Sequence, residues 1–143
     1  MVACYVSLPE EPGTTQLIDA LRETGIQVLL PVLHGYPDWA LFSGWEHTVP
    51  AWRGILQPDT EQLGVEALRR ADLVIAPALS VARDGTRLGT GGGWYDRALP
   101  HRRTNAPVWS LIRSAELRDQ LPRMPHDVPV DAVITERGFH QLR

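Results

Sequence analysis

The stretch Leu73–Asp96, LVIAPALSVARDGTRLGTGGGWYD, decides the fold class of this chain. Its first seven residues are a nearly continuous apolar run, the pattern of a strand covered on both sheet faces. Its second half places five glycines (Gly85, Gly89, Gly91, Gly92, Gly93) within the nine residues from Gly85 to Gly93. Glycine lets the backbone approach a ligand with no Cβ in the way, and successive amides in such a turn can form an anion-binding nest. Trp94 to Leu99 reads as a helix that stops at Pro100, its N-terminus adding partial positive charge. Arg87 can donate bidentately to phosphate, and Asp96 can hold a magnesium ion bridging phosphates. Arg87 to Asp96 is therefore expected to be a phosphate-gripping loop after a buried strand. Two common alternatives fail on spacing: G-x-x-x-x-G-K-[ST] is absent, and the alternation of Gly89, Gly91 and Gly93 is not G-x-G-x-x-G.

Outward from this stretch, short apolar runs alternate with helical patterns. Val2–Ser7 predicts a first strand, broken by Pro9–Gly13. Thr14 or Thr15 caps a helix with Leu17, Ile18 and Leu21 on one face, closed by Gly25. Ile26–Leu30 predicts a second strand ended by Pro31, and Trp39–Phe42 a third at the sheet edge or in a hairpin. Pro58 opens a predicted helix with Asp59 as N-cap, Gln62 completing a capping box, and an apolar stripe of Leu63, Ala67 and Leu68. Val108–Ile112 is expected to be a strand, Ala115–Leu121 a short helix and Val130–Thr135 the last strand. Such alternation implies an α/β fold with a mainly parallel sheet, whose ligands sit beyond the carboxyl ends of the strands.

The chain has 143 residues, 43% hydrophobic and 22% charged, with net charge −3. That is one domain's length and a globular composition, without the broad basic footprint of a nucleic-acid binder. No apolar stretch approaches a membrane span, and no basic n-region opens the sequence. The single cysteine, Cys4, lies in an apolar run and is expected to be a buried, inert thiol of a cytoplasmic protein. The five histidines have no metal-ligand spacing, which argues against zinc. Asp84-Gly85 reads as a turn. Trp39, Trp45, Trp52 and Trp109 are expected to pack, with one or two available to line a pocket.

Extended to LVIAPALSVARDGTRLGTGGGWYDRAL, the opening stretch resembles the signature of the 5-formyltetrahydrofolate cyclo-ligase family, also called methenyltetrahydrofolate synthetases. The resemblance continues in YVSLPEEPGT, in Gly54–Pro58, and in His126-Asp127 followed by Val130–Glu136. It implies one domain over 1–143, a three-layer α/β/α fold similar to the NagB/RpiA/CoA transferase-like fold. It also implies an ATP- and magnesium-dependent closure of 5-formyltetrahydrofolate to 5,10-methenyltetrahydrofolate with release of ADP and phosphate.

By that resemblance Arg87, Leu88, Gly89, Thr90, Gly91, Gly92, Gly93, Trp94 and Tyr95 bind ATP, with Arg87 and Tyr95 catalytic. Thr90 to Trp94 also face the reduced folate, Val6 and Glu11 lie along it, and Asp96 and Asp127 hold magnesium. The expected partners are these small molecules, with no nucleic acid and no membrane, in a monomer or a dimer. Family members begin with a further helical segment whose lysine and arginine reach ATP and substrate. This sequence starts almost at its first strand and contains no lysine, so the resemblance implies a shortened member. Many relatives have a larger aromatic or basic residue at the position of Thr90, and some a lysine at Gly92. The rival reading is a non-catalytic folate- or nucleotide-binding homologue that has lost turnover with that segment. A third, a sugar-phosphate isomerase-like or CoA-transferase-like protein, has no motif in this chain.

Overall fold

A computed structural model of the chain describes residues 1–90 and 92–143. In chain order the elements are β1 (Val2–Ala3), α1 (Thr15–Glu23), β2 (Val28–Val32), β3 (Asp38–Leu41), β4 (Thr48–Pro50), β5 (Leu56–Pro58), β6 (Leu73–Ala76), β7 (Ser80–Ala82), β8 (Arg87–Leu88), α2 (Trp94–Ala98), β9 (Val108–Leu111), β10 (Leu117–Arg118), β11 (Ala132–Thr135) and β12 (Gly138–Gln141). Seven strands form the main sheet in the order β12-β11-β9-β6-β1-β2-β3. The pairs from β11 to β2 are parallel, and β12 and β3 close the two edges antiparallel. This is the expected α/β fold with a mainly parallel sheet.

The alternation of side chains along each strand divides the core into two layers. Ala3, Leu29, Val74 and Ala76 face one layer with Leu68, Ala98 and Leu99. Val2, Cys4, Val28, Leu30 and Ile75 face the other, where Ile18 of α1 is buried against them. Cys4 is fully buried and its thiol is pushed up to about 12, chiefly by that burial. Helix α1 ends as the sequence predicts. Gly25, at φ +84°, donates to Arg22 O and Ile26 donates to Leu21 O, a Schellman closure that needs a left-handed residue.

Three expectations are corrected. Pro31 does not end the second strand; it lies inside β2, opposite Trp39 of β3. The amides of Val2 and Cys4 donate to Gln27 and Leu29, so odd-numbered residues of β2 turn their backbone polar groups toward β1. The missing N–H of Pro31 falls on that side, just past the Cys4–Leu29 bond where β1 has already ended.

The predicted capping box at Asp59–Gln62 does not form. Gln62 bridges Ala40, the Leu63 amide donates to Trp39 O, and the Gly64 amide donates to Asp38 Oδ1, so this segment runs along the edge of β3. Gly64 turns at φ +83° and only then does a short 3-10 helix, Val65–Arg70, bury Ala67 and Leu68. The helix expected at Ala115–Leu121 shrinks to a 3-10 turn, Ser114–Glu116. Leu117 and Arg118 instead pair with Val81 and Ala82 as β10.

Along the sheet, β1 and β6 mark a reversal: the chain leaves β1 toward β2 and β3, and leaves β6 toward β9 and β11. In open α/β sheets the crevice beyond the carboxyl ends of such strands takes the ligand.

Candidate functional site

A cleft of about 700 Å³ opens at that reversal, within the range of small-molecule sites. From the segment that follows β1 come Tyr5, Val6, Leu8 and Glu11. Beyond β6 come Pro77, Ala78 and Leu79, and then Arg87–Thr90 and Gly92–Arg97. Of the residues expected in the site, Val6, Glu11, Arg87, Leu88, Gly89, Thr90, Gly92, Gly93, Trp94, Tyr95, Asp96 and Asp127 all line this one cleft. Gly91 lies outside the described residues.

The phosphate-loop segment does not follow β6 directly. A hairpin intervenes, β7 and β8 pairing antiparallel around the Asp84-Gly85 turn. Thr86 donates its amide to Asp84 Oδ1 at 2.9 Å, and the Ala82 amide donates to Thr86 O. The hairpin delivers Arg87 into the cleft wall with its side chain only 5% exposed. Its Nη1 donates to Pro77 O at 2.9 Å and its Nη2 to Asp96 Oδ1 at 3.2 Å. Its guanidinium also lies 5.7 Å from the centroid of the Tyr95 ring. Each terminal nitrogen already has one protein acceptor, so the plane of the guanidinium is fixed before any ligand arrives.

Glycine at position 89 leaves that guanidinium its place, since a Cβ there would sit 2.9 Å from Arg87 Nη1 and push it aside. Gly93, at φ +74°, turns the chain into α2. Trp94 and Tyr95 anchor that turn in the core, edge-on to Trp39 at centroid distances of 5.2 and 6.4 Å. The Tyr95 hydroxyl is buried without a hydrogen-bond partner among the described residues, and burial pushes it well above its usual value. It stays protonated and is no proton carrier at neutral pH.

Two acids of the cleft are held by one device. The Glu11 amide donates to Leu8 O at 3.0 Å, while the Leu8 amide donates to Glu11 Oε1 at 2.7 Å. The Asp127 amide donates to Met124 O at 3.0 Å, while the Met124 amide donates to Asp127 Oδ2 at 2.8 Å. Each carboxylate thus closes its own four-residue turn reciprocally. The neighbouring His126 contributes little orientation, since its ring is 70% exposed and 3.6 Å from Asp127 Oδ1.

Burial pushes the Glu11 carboxyl above its ordinary value of 4.5, opposed by the Leu8 hydrogen bond. The folded chain therefore keeps the Glu11 proton where the unfolded chain has released it, and stability falls as pH rises from 4.5 through the raised value. Glu11→Gln has no such proton to lose. Urea midpoints at about pH 4 and about pH 7 are expected to shift in favour of the variant at the higher pH. An unchanged difference would show that Glu11 titrates alike in both states.

The acids and the loop suit one kind of cation. Asp96 and Asp127 offer hard carboxylate oxygens to the same cleft, and Asp96 Oδ2 makes no polar contact among the described residues. No group of three or more metal-ligating side chains occurs among the described residues. That donor set fits a magnesium ion carried on substrate phosphates, which needs only one or two protein carboxylates.

The family model for 5-formyltetrahydrofolate cyclo-ligases matches residues 1–136. The chain belongs to that family. It is 40% identical to the 5-formyltetrahydrofolate cyclo-ligase of Mycolicibacterium smegmatis over 99% of this chain and 77% of the relative. It is 34% identical to that of Escherichia coli K12 over 94% and 76%. The solved structure of Aquifex aeolicus 5,10-methenyltetrahydrofolate synthetase superposes with a TM-score of 0.81 at 27% identity, covering 99% of this chain and 71% of that one. In this cyclo-ligase fold, the cleft gains residues that sequence reading missed as site residues. Trp52 is 53% exposed at the cleft, where the sequence suggested packing with at most a share in a pocket wall. Arg53 adopts φ +55°, the one non-glycine positive φ among the described residues, and pairs with Glu10 at 3.1 Å. No local sequence signal marks either. Arg97 also lines the cleft, and its place directly after Asp96 is the signal that was available.

Proposed function

We propose that this chain catalyses the ATP-dependent closure of 5-formyltetrahydrofolate to 5,10-methenyltetrahydrofolate. The observation that carries this reading is the single cleft shared by Val6 and Glu11 from one strand end and Arg87–Asp96 from the other. One pocket with a half-buried acid on one wall and a phosphate-type loop on the other suits a reduced folate meeting a nucleotide.

In the reaction the formyl oxygen forms a bond to the γ-phosphorus as the bond to ADP breaks. N10 then attacks the formyl carbon, the C–O bond breaks with phosphate leaving, and N10 gives up its proton. Phosphoryl transfer of this kind needs alignment and charge neutralisation more than a side-chain nucleophile. Arg87, fixed between Pro77 O and Asp96, presents its guanidinium to the phosphates. The glycine segment lets them approach the backbone. Tyr95 acts through its ring as a shelf under Arg87. Glu11 and Val6 position the folate, and the apolar walls near them exclude water. Asp96 and Asp127 would hold magnesium, which neutralises phosphate charge when bound. No helix among the described residues is long and apolar enough to cross a membrane, and the reading assigns the reaction to the cytoplasm.

Protein, Mg-ATP and 5-formyltetrahydrofolate mixed together are expected to generate the methenyl product, followed by its absorbance. Retained nucleotide binding with no product at high protein concentration would instead leave a folate- or nucleotide-binding homologue.

A further inference from the structure

The charges along the cleft single out Arg97. Among the described lining residues, Arg53 is paired with Glu10 at 3.1 Å and Arg87 with Asp96 at 3.2 Å. His34 and His126 lie beside Asp38 and Asp127 at 3.4 and 3.6 Å. Arg97 lines the same cleft and has no carboxylate within ion-pair distance among the described residues.

Its side chain is not simply extended into solvent. Nη1 donates to Gly92 O at 3.2 Å and lies 3.3 Å from where a Cβ on Gly93 would be. The guanidinium is thus folded back from α2 over the glycine loop. Ordering a long exposed side chain in this way costs rotamer freedom, for one hydrogen bond to a carbonyl. A guanidinium has five N–H donors, so most remain for a ligand. Around Gly92 there is room for one, because nothing lies within 4 Å of a Cβ built there.

We propose that Arg97 binds the terminal phosphates of the nucleotide and adds an unpaired guanidinium to the ion-paired Arg87. With Arg87 neutralised by Asp96, and with Glu11 and Asp127 adding acids, a polyanion entering the cleft meets no other unpaired guanidinium among the described residues. The proposal rests on the nucleotide-binding part of the cyclo-ligase reading.

The test is calorimetric binding of ATP and of AMP to the full chain and to its Arg97→Gln and Arg97→Lys variants. Gln keeps a donor for Gly92 O and removes the charge; Lys restores charge without the fork. Arg97→Gln is expected to weaken ATP by about tenfold or more, the size of a charge-assisted hydrogen bond. AMP affinity should stay within about twofold, and Lys should recover part of the ATP loss. Unchanged ATP affinity in Arg97→Gln overturns the proposal, as does an equal loss for ATP and AMP, which would mean a reshaped loop. A wild-type chain that binds no ATP removes the reading of the site and the role of Arg97 together. One that binds ATP but forms no methenyl product removes only the activity.

Discussion

An Arg87→Ala variant is expected to lose cyclisation rate by about a hundredfold to a thousandfold, the usual effect of removing a fixed donor to developing negative charge. The size follows from the way the guanidinium is held. It is buried to 5% exposure, bonded to Pro77 O and Asp96 Oδ1, and stacked near Tyr95. Its orientation is set before substrate binds, so none of its interaction with phosphate is spent on ordering. Deletion also leaves Pro77 O without its donor and Asp96 without its partner. Asp96 is 40% exposed and can be rehydrated, so the loss of stability should be limited to about 1–2 kcal/mol. Arg87→Lys should recover only a fraction of the rate, because one ammonium cannot reproduce a planar fork spanning two acceptors. Steady-state kinetics beside urea denaturation separates the two effects. A folded Arg87→Ala protein within about threefold of wild-type turnover would end the catalytic assignment of this residue.

The largest loss of stability is expected from Gly85→Ala. Gly85 turns the β7–β8 hairpin at φ +93°, where an L side chain is strained, and a Cβ there would collide with the backbone oxygen of Val130. Arg143 Cδ and Pro129 Cβ lie 3.0 and 3.2 Å from the same point, so the methyl has no direction of escape. Backbone strain and overpacking together should destabilise by about 2–4 kcal/mol. The displaced segment matters for function too. Val130 donates its amide to Gly85 O at 2.8 Å, which ties the strand carrying Arg87 to the segment that follows Asp127. The variant should therefore lose activity beyond its unfolded fraction. Gly92→Ala is the control for stability: nothing lies near its Cβ position, and its denaturation midpoint should move by less than about 0.5 kcal/mol in equivalent free energy. A Gly85→Ala protein as stable as Gly92→Ala would show that the hairpin and the Val130 segment are not locked together.

The sheet was legible where residues act through burial alone. The strand Leu73–Ala76 and those at Val28, Val108 and Ala132 are apolar because both faces are covered, although the apolar run continues to an exposed Leu79, and α1 carries its period on one face. Misreadings arose where a backbone partner overrode local preference. Pro58-Asp59-Gln62 has the residues of a helix start, yet the free edge of β3 offered its segment hydrogen bonds that a helix could not better. Leu117-Arg118 likewise left a helical pattern to pair with β7.

Strands β7, β8 and β12 were missed because two or three residues, or an exposed edge such as Phe139 at 50% exposure, leave too little apolar pattern to read. For the site, the glycine spacing pointed to phosphate from the residues themselves. Glu11 and Asp127 were reached only through family resemblance, since Glu11 is one of two adjacent acids between prolines, Asp127 is a lone acid near prolines, and nothing local says that either carboxylate faces a cleft. Arg53 and Trp52 became visible only when the chain folded around the mouth.

The two reciprocal turns, Leu8–Glu11 and Met124–Asp127, leave a mark on how this protein can vary. In each, the acid is held by the backbone three residues before it, so the carboxylate travels with a four-residue cassette. Insertions or deletions outside a cassette, in Thr104–Pro107 or Asp119–Pro122 for instance, can change loop length without altering how the acid is presented. A single-residue change of spacing inside one would break both bonds at once. Natural length variation among such chains should therefore collect between the cassettes, and a designer grafting this acid onto another scaffold needs to carry only four residues.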